Sequence, residues 1–563
     1  MASQLPPSTS SKNWQSRVAE KRSICQKAIP EAWNLAQSLL DTLPKRSELS
    51  QTKTNLISLD IPRRSGILTE RELEITESHN VPELLESLAT GRFTSAEVTL
   101  AFSKRAAIAQ QLTNCLTETF FEEAQQRARF LDDLRAQGKL AGPLHGLPVS
   151  LKDTYQVKGI QATIGAVSYL DTTSSENSAL VDMLLGLGAV PYIKTNVSQV
   201  LMAVESDNNI FGRVLNPWNT MLTAGGSSGG EGALIAFRGS VLGVGTDLAG
   251  SIRIPSLCCG TYGFKPSANR IPYEGQVMPF KEGILPIVPS AGPLASDVET
   301  LQIFMKAVID AKPFRHDATA IDVPWRSTNV LPRQSLRLGL LPEDPLFPLH
   351  PPVKETIARV VKILQSRGHE VILLDAAECR VAEANRIAGG LLSLDGTPGD
   401  IIAASGEPAL PSTGMFAEQA RSIEWKFVPD FSAMNDFQKL GMLQSQRARL
   451  AEDWRKLWAR HNLDAVVSQS AQNTAVEHDQ FCWPAYSAFL NLLDYPACVI
   501  PFQRATKSEL PFAAKSGQGT PPYNPEVVEG APCSIQIFTS RMRDEECLAV
   551  AGIVDECLKA RND

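Results

Sequence analysis

A group of serines and one lysine are the side chains of this chain that could carry chemistry. Ser227 and Ser228 lie inside a glycine-rich segment, residues 225–250, and Ser251 follows it directly. Nine of the 37 glycines fall in this segment. Glycine lets backbone amides approach a ligand closely and adopt positive φ angles. Three interpretations of the segment therefore compete: an anion cradle, a nucleophile elbow, and a serine site activated by a lysine.

The anion cradle is the weakest of these interpretations. Glycine loops at the start of a helix bind phosphates, but no Gly-Lys-Ser/Thr sequence follows here. Leu248 also stands where a dinucleotide-binding motif requires its third glycine. We therefore expect no nucleotide and no other cofactor.

A nucleophile elbow matches the sequence twice, because the Gly-x-Ser-x-Gly pattern fits at Ser227 and again at Ser228. An α/β-hydrolase esterase built on either serine needs a downstream histidine, and His461 or His478 could serve. The elbow should follow directly on a strand, however, and residues 219–224 make a poor one. This interpretation stays open as an alternative.

Lys152 offers the third interpretation, since it ends the apolar run 148–151. Burying an ammonium group there is costly unless the group is paired or neutral. Burial lowers the pKa of a lysine, and a neutral lysine is a base. Lys152 could therefore activate a serine hydroxyl without any histidine.

Short apolar strands alternate with helices around these residues, which favours a mixed or parallel α/β sheet. Residues 337–374 are predicted to form a strand, a helix and a second strand, and a polar surface loop is predicted at 507–529. In the N-terminal region, Thr94 and Glu97 form a capping box at the start of a helix. The predicted strands are 148–151, 189–193, 241–244, 337–341 and 370–374, and the predicted helices are 29–43, 82–88, 179–187, 231–237 and 353–365.

Composition excludes several classes of protein. The chain has 54 Lys+Arg against 61 Asp+Glu, a net charge of −7, so it lacks the basic excess of a nucleic-acid binder. Its ten cysteines show no paired spacing, which predicts free thiols in a reducing compartment, and no metal-ligand cluster stands out. The chain shows no signal-peptide pattern and no apolar run of about 18 residues, so we expect a cytoplasmic protein without a membrane anchor.

Several motifs together resemble the amidase signature family, in particular its fungal acetamidase type. The resemblance covers about residues 60–555 and rests on Lys152, on the segment 225–256, and on the motifs at 65–68, 99–102, 142–148, 404–408 and 478–481. It implies an α/β fold: one large domain with a mixed twisted β-sheet covered by helices on both faces. It further implies a helical N-terminal extension (1–90) packed on an amidase signature domain (91–560), with a signature core at about 140–300 and a second lobe at about 315–475.

The resemblance also implies roles for individual residues. Ser251 becomes the acyl nucleophile, Ser227 the bridging serine, usually on a cis peptide, and Lys152 the base. Backbone amides of residues 248–251, which are Leu248, Ala249, Gly250 and Ser251, would form the oxyanion hole. Ala249 stands where the family usually has glycine, and it would be strained if that position requires positive φ.

Leu201 and Met202, together with residues 486–494, are expected to line an apolar acyl pocket by analogy with the family. The expected partners are a small amide molecule and a second copy of the chain in a homodimer, but no nucleic acid and no membrane.

Residues near the serines are expected to support the site rather than to react. Ser228 and Glu231 form a capping-box pattern, which predicts that Ser228 caps the helix that follows. Asp247 and Arg253 carry opposite charges on either side of Ser251 and are expected to pair and hold the loop.

His145 is expected to be structural. His478 and Asp479 are neighbours in sequence and should point to opposite faces of a strand, so they are not expected to form a dyad. Cys258 and Cys259 are expected to be buried small hydrophobic residues.

These observations favour a serine amidohydrolase that needs neither metal nor cofactor. It would cleave a small aliphatic or aryl carboxamide to a carboxylate and ammonia or an amine. A tailoring enzyme of secondary metabolism with the same triad, the elbow-type esterase, and a non-catalytic family member that only binds remain alternatives.

Overall fold

The computed structural model of the chain describes residues 13–281, 283, 285–328, 335–422, 433–508, 512 and 519–560. The α-helices of this part of the chain are α1 Trp14–Lys27, α2 Gln37–Leu40, α3 Ile61–Arg64, α4 Glu70–Glu77, α5 Val81–Thr90, α6 Ser95–Thr113, α7 Phe121–Ala136, α8 Ala179–Gly186, α9 Gly229–Ala236, α10 Arg253–Cys259, α11 Val298–Asp310, α12 Pro351–Ser366, α13 Ala376–Cys379, α14 Val381–Leu392, α15 Thr397–Ala404, α16 Pro411–Ser422, α17 Asp436–His461, α18 Ala485–Leu493, α19 Pro525–Val528 and α20 Asp544–Lys559.

One mixed sheet of eleven strands runs through the molecule, in the order β1-β3-β2-β4-β6-β5-β10-β11-β9-β7-β8. Helices cover both faces, as the resemblance implied. The strands are β1 Leu116–Thr119, β2 Pro148–Lys152, β3 Val190–Thr195, β4 Leu242–Asp247, β5 Tyr262–Lys265, β6 Ser290–Ala295, β7 Arg337–Leu340, β8 Glu370–Leu373, β9 Ala465–Ser468, β10 Ala497–Arg504 and β11 Pro532–Phe538.

Strands β2 and β4 are parallel neighbours, with Ser150 opposite Gly243 and Leu151 opposite Val244. Their carboxyl ends therefore meet at the same edge of the sheet, where α/β proteins commonly place their functional residues. Every residue of both strands is buried, as expected for strands covered on both faces. This edge is where Lys152 leaves the sheet.

The predicted strands and helices at 148–244 are confirmed, as are the capping box of α6 and the strand-helix-strand unit β7-α12-β8. The predicted loop 507–529 falls in part outside the described residues, and within it residues 525–528 form α19. The division into a signature core and a second lobe stays a prediction. None of the described helices combines the length and apolarity needed to cross a membrane.

The helix predicted at 29–43 is wrong. Pro30 precedes a single turn of 3-10 helix, Glu31–Trp33, and extended backbone at Asn34 and Ala36 separates that turn from the short α2. The backbone N–H of Leu35 donates instead to the side chain of Gln111 on α6. Proline and a long-range hydrogen bond thus outweigh the apolar spacing of this segment.

Helix α1 lies in the N-terminal extension, before the first helix predicted from apolar spacing. Its buried residues include Arg17 and Lys21 beside Val18, so its packing face is largely charged. Lys21 pairs with Glu118 on β1, and Arg17 pairs with Asp171 at 2.9 Å. A helix held by ion pairs has no apolar period, which is why the sequence pattern missed it.

Candidate active site

Lys152 is completely buried at the carboxyl end of β2. Its Nζ lies 2.8 Å from Ser227 Oγ, 2.8 Å from Thr246 Oγ1 and 3.4 Å from the carbonyl oxygen of Thr246. A neutral amine has two N–H groups and one lone pair, so it can donate to Thr246 and accept the proton of the Ser227 hydroxyl. The geometry therefore suits a lysine that takes a proton from Ser227.

Burial lowers the pKa of Lys152 from 10.5 to about 7, although the negative charges of Asp247 and Glu231 act in the opposite direction. Desolvation penalises the ammonium form, because no carboxylate touches the amine closely enough to replace water. A large fraction of this lysine is neutral at neutral pH, unlike an exposed lysine.

Ser227 is 1% exposed and follows the cis peptide bond between Gly226 and Ser227. The hydroxyl of Ser206 donates to the Ser227 carbonyl at 3.3 Å and accepts the backbone N–H of Gly229 at 2.8 Å. One side chain thus connects the serine to the first residue of α9. The segment around Ser206 therefore fixes where the Ser227 hydroxyl meets Lys152.

Ser251 lies two residues before α10 and is only partly buried. Its carbonyl oxygen accepts the backbone N–H of Ser228 at 3.3 Å, which joins the two serine-bearing segments. Among the described residues, the Ser251 hydroxyl has no hydrogen-bond partner. Ser251 is thus the least buried member of the group, since Ser227 and Lys152 are almost or completely buried.

Asp247 and Arg253 hold the loop that carries Ser251. Both are completely buried and pair at 2.9 Å. The same carboxylate accepts the backbone N–H groups of Gly250 at 2.8 Å and Ile252 at 3.1 Å, and Asn491 on α18 donates to it at 2.9 Å. Burial opposes ionisation of Asp247, but the guanidinium and these N–H donors hold its pKa far below the ordinary value.

The backbone N–H groups of the loop at 248–251 differ in whether they are hydrogen-bonded. The N–H of Gly250 is taken by Asp247, whereas those of Leu248, Ala249 and Ser251 donate no hydrogen bond within the described part of the chain. Ala249 does not have positive φ, and the residue that does is Gly250, at 124°. Alanine at position 249 is therefore not strained, and the doubt raised by the missing glycine is removed.

The capping box predicted for Ser228 and Glu231 is wrong. Ser228 makes no side-chain bond to the helix, and its buried hydroxyl has no partner among the described residues. Glu231 instead points into the protein, where Ser150 and Thr195 donate to its carboxylate at 2.6 and 2.9 Å. Burial raises the pKa of Glu231 to about 7.

The family model described as Amidase matches residues 97–548. The chain belongs to the amidase signature family. An amidase of Gibberella moniliformis is 37% identical to it over 553 residues, which cover 97% of this chain and 99% of that protein. An acetamidase of Emericella nidulans is 36% identical over 568 residues, with 97% and 98% coverage.

A solved structure of a fatty acid amide hydrolase has the same fold, with a TM-score of 0.86 at 29% identity over 97% of this chain and 95% of that chain. The fold predicted from the resemblance is therefore confirmed. Family and relatives together make this chain an amidase, a hydrolase that acts on amide bonds.

Within the described part of the chain, no histidine of this amidase forms a hydrogen bond with Ser227, Ser228 or Ser251. His478 Nδ1 lies 3.0 Å from a carboxylate oxygen of Glu205, and its Nε2 lies 3.0 Å from the carbonyl oxygen of Thr220. His145 accepts the backbone N–H of Ala141 at 3.0 Å. Both ring nitrogens of His478 are thus engaged elsewhere, so this histidine does not supply the base that the elbow-type esterase requires.

The remaining predicted residues are the two cysteines after Ser251 and the residues expected to line the acyl pocket. Cys258 and Cys259 are completely buried, and all ten cysteines are free. Leu201 and Met202 are partly buried against a small apolar cluster away from the main core. Within residues 486–494, the carbonyl of Ser487 accepts a bond from Arg253, and Asn491 donates to Asp247. This stretch therefore packs behind the loop that carries Ser251.

The roles of three residues were not predicted from the sequence: Thr246 and Ser206 as contacts of Lys152 and Ser227, and Glu231 as a buried carboxylate near Lys152. Thr246 could have been found, because it precedes Asp247 at the end of β4 and so reaches the same sheet edge as Lys152. Ser150 and Lys152 are two apart on β2 and share a face, which places Glu231 near the lysine. Ser206 gives no signal, since its role depends on a long-range fold of the chain.

Proposed function

We propose that this amidase hydrolyses carboxamides through an acyl-enzyme on Ser251, with Ser227 and Lys152 completing a Ser-Ser-Lys triad. The observation that carries the proposal is the 2.8 Å contact between the buried Lys152 amine and the Ser227 hydroxyl. A serine hydroxyl needs a base to become a nucleophile at neutral pH. A lysine with a pKa of about 7 can serve as that base.

Acylation begins when Ser251 Oγ attacks the carbonyl carbon of the amide. The Ser251 proton passes to Ser227 Oγ as the Ser227 proton passes to the lone pair of Lys152. When the tetrahedral intermediate collapses, the C–N bond breaks and the proton returns from Lys152 through Ser227 to the leaving nitrogen. Ammonia or an amine departs, and the acyl group stays as an ester on Ser251.

Deacylation repeats the relay with water as the nucleophile. Water attacks the ester carbon and gives its proton to Ser227 while Lys152 takes the Ser227 proton. Collapse breaks the C–Oγ bond, Ser251 regains a proton through the same relay, and the product leaves as a carboxylic acid that releases its remaining proton to water and becomes the carboxylate. The relay contains no histidine, which agrees with the contacts of both His478 ring nitrogens with Glu205 and Thr220 rather than with a serine.

The negative oxygen of each tetrahedral intermediate needs N–H donors at the place where charge develops. Leu248, Ala249 and Ser251 have backbone N–H groups that donate no hydrogen bond within the described residues, so they are the proposed donors. The hydrogen bonds to Asp247 hold the loop in one conformation before the substrate arrives. Such preorganisation is worth more than donors that must reorient during the reaction.

Small aliphatic or aryl amides are the proposed substrates, because Leu201 and Met202 are apolar, only partly buried, and directly precede Ala203, whose carbonyl lies against Gly226. The name of the Emericella nidulans relative, an acetamidase, supports a short acyl group. Ten free cysteines support a reducing compartment, and we infer that the amidase works in the cytoplasm.

Hydrolysis of acetamide by wild type and by Ser251→Ala and Lys152→Ala variants tests the proposal. We expect each variant to lose at least about 10⁴-fold in kcat, because triad members act as a unit. Ser256→Ala is the matched control: this serine lies on α10 and bonds only within its helix, so activity should stay within a few-fold. A fluorophosphonate probe should label Ser251 in wild type. Turnover that persists in a folded Ser251→Ala variant would refute the triad.

A further inference from the structure

A buried carboxylate far from the triad has four hydrogen-bond donors. Glu407, 5% exposed, accepts the backbone N–H of Val167 at 2.7 Å and the hydroxyl of Ser405 at 3.2 Å. Its other oxygen accepts the side-chain amides of Gln199 at 3.0 Å and Asn209 at 2.8 Å. A buried carboxylate is costly unless it is fully hydrogen-bonded, and four neutral donors provide that here. Glu407 thus ties together three segments that are distant in sequence.

The same segments enclose a separate apolar cluster. We define the 164–402 cluster as the buried residues of these segments, against which Leu201, Met202 and Val277 pack; its members are Ile164, Ala166, Tyr169, Val200, Ile401 and Ile402. Glu407 bonds to Val167 and Gln199, which are the sequence neighbours of the cluster members Ala166 and Val200. The apolar wall that Leu201 and Met202 present is therefore supported by side chains that Glu407 holds together.

The wall begins in an unusual turn. Val200 and Leu201 have φ angles of 47° and 60°, which side chains other than glycine rarely adopt, least of all a β-branched one. Gln199 immediately before them is held at both ends of its amide: its nitrogen donates to Glu407 and to the Pro408 carbonyl, and its oxygen accepts the N–H of Leu410. A strained turn persists only where its surroundings fix it, and these bonds do so.

The segment that follows this turn, residues 203–206, packs against the chain at Gly226 and Ser227. A Cβ on Gly226 would lie 2.5 Å from the backbone nitrogen of Glu205 and 2.8 Å from the carbonyl oxygen of Ala203, so the two segments are in close contact. Ser206 then bonds to the Ser227 carbonyl. The apolar wall and the reacting serines are thus joined by only a few residues of chain.

We propose that Glu407 is a positioning residue that sets acyl-chain specificity: through Gln199 it fixes the turn at Val200 and Leu201, and so holds an apolar wall for acyl groups longer than acetyl. The inference rests on the proposed amide hydrolysis and specifies its substrate class. Acetamide has no chain to reach the wall, whereas an unbranched amide such as hexanamide does. Loss of the wall should therefore affect the two amides differently.

Glu407→Gln tests this inference. The new NH₂ group must face either the pair Gln199 and Asn209 or the pair Val167 and Ser405, so one of the two oxygen positions loses its donors and the hold on the turn is weakened with little change in size. We expect kcat/KM for hexanamide to fall about tenfold more than kcat/KM for acetamide, since each methylene in an apolar pocket is worth at least about tenfold. Asp132→Asn is the matched control, because Asp132 also accepts two backbone N–H groups but lies at the start of α6.

The ratio of the two kcat/KM values decides the outcome. A ratio that falls in Glu407→Gln but not in Asp132→Asn supports the inference. Equal losses on both amides, an unchanged ratio, or a wild type that hydrolyses acetamide but not hexanamide would overturn it. If Glu407→Gln does not fold, Gln199→Leu cuts the same link and must lower the ratio in the same way. A wild type that hydrolyses neither amide would refute the proposed function itself.

Discussion

Replacing Lys152 with methionine should abolish activity and at the same time make the protein more stable. Lys152 is completely buried, and its pKa falls from 10.5 in the unfolded chain to about 7 in the folded one. A shift of about 3.5 units corresponds to about 5 kcal/mol below pH 7, and to about 4 kcal/mol at pH 7 itself. Methionine has a similar length and no charge to desolvate.

Part of this gain is offset by lost hydrogen bonds. Ser227 and Thr246 each lose a partner, at about 1 kcal/mol apiece. We therefore expect Lys152→Met to raise the free energy of unfolding by about 2 kcal/mol at pH 7. Urea unfolding followed by fluorescence of the eight tryptophans would measure the difference.

The pH dependence has a definite sign. A lysine whose pKa is lowered on folding costs no stability above its unfolded pKa of 10.5, and its full cost appears as pH falls to about 7. The stability of wild type should therefore rise with pH across this window. The advantage of Lys152→Met should disappear at about pH 9, where the cost of the lysine falls to the about 2 kcal/mol of lost hydrogen bonds, and should reverse toward pH 10.

Lys194 provides the matched control. It is also completely buried, on the neighbouring strand β3, but it pairs with Asp153 at 3.1 Å. Lys194→Met leaves that carboxylate unpaired and should destabilise the protein by about 3–5 kcal/mol, the opposite sign. A Lys152→Met variant that is less stable than wild type at pH 7, by an amount independent of pH, would refute this reasoning.

Two further variants test the charges around the lysine. Glu231→Gln should shift the rising limb of kcat/KM against pH, expected near pH 7, to lower pH, because the ionised Glu231 attracts the Lys152 ammonium; an unmoved limb would contradict this. The pKa of Glu231 is raised to about 7, so its contribution to stability is present below about pH 4.5 and is lost as pH rises through 7. Glu231→Gln should therefore gain in stability over wild type above pH 7 in urea unfolding. Asp247→Asn should lower the free energy of unfolding by about 3–5 kcal/mol at pH 7, because it leaves the buried Arg253 unpaired. The lowered pKa of Asp247 means that this contribution is present above about pH 4 and is lost on acidification, so the gap between wild type and variant should narrow in acid; equal stability at pH 7 would contradict the role of the pair.

Elements with a clear apolar period were predictable from the sequence. The strands β2, β3 and β4 and the capping box of α6 fall where the pattern placed them, because their side chains alternate or recur toward one core. The sheet edge that carries Lys152 follows from the same pattern. The contact of Lys152 with Ser227 agrees with the family resemblance, which no periodicity could have supplied.

Features fixed by long-range polar contacts were not predictable. Helix α1 packs through Arg17 and Lys21, and Glu231 leaves its capping position for Ser150 and Thr195 on two different strands. The local sequence predicts only the hydrogen bonds that such side chains can make to neighbouring residues. In the folded protein they bond instead to groups on other strands that are distant in sequence. The same holds for Glu407, three of whose four donors are about 200 residues or more away.

The contact of Asn491 with Asp247 also bears on when the enzyme becomes competent. The two residues are 244 positions apart, and Asn491 donates both to the carboxylate and to the backbone carbonyl of Asp247. A ribosome synthesises the N-terminal part first, so Lys152, Ser227 and Ser251 all emerge well before Asn491. The loop with Ser251 gains its final support only after most of the chain has been made. If the proposed triad carries the reaction, a nascent chain therefore contains Lys152, Ser227 and Ser251 before the loop has the support that the reaction requires.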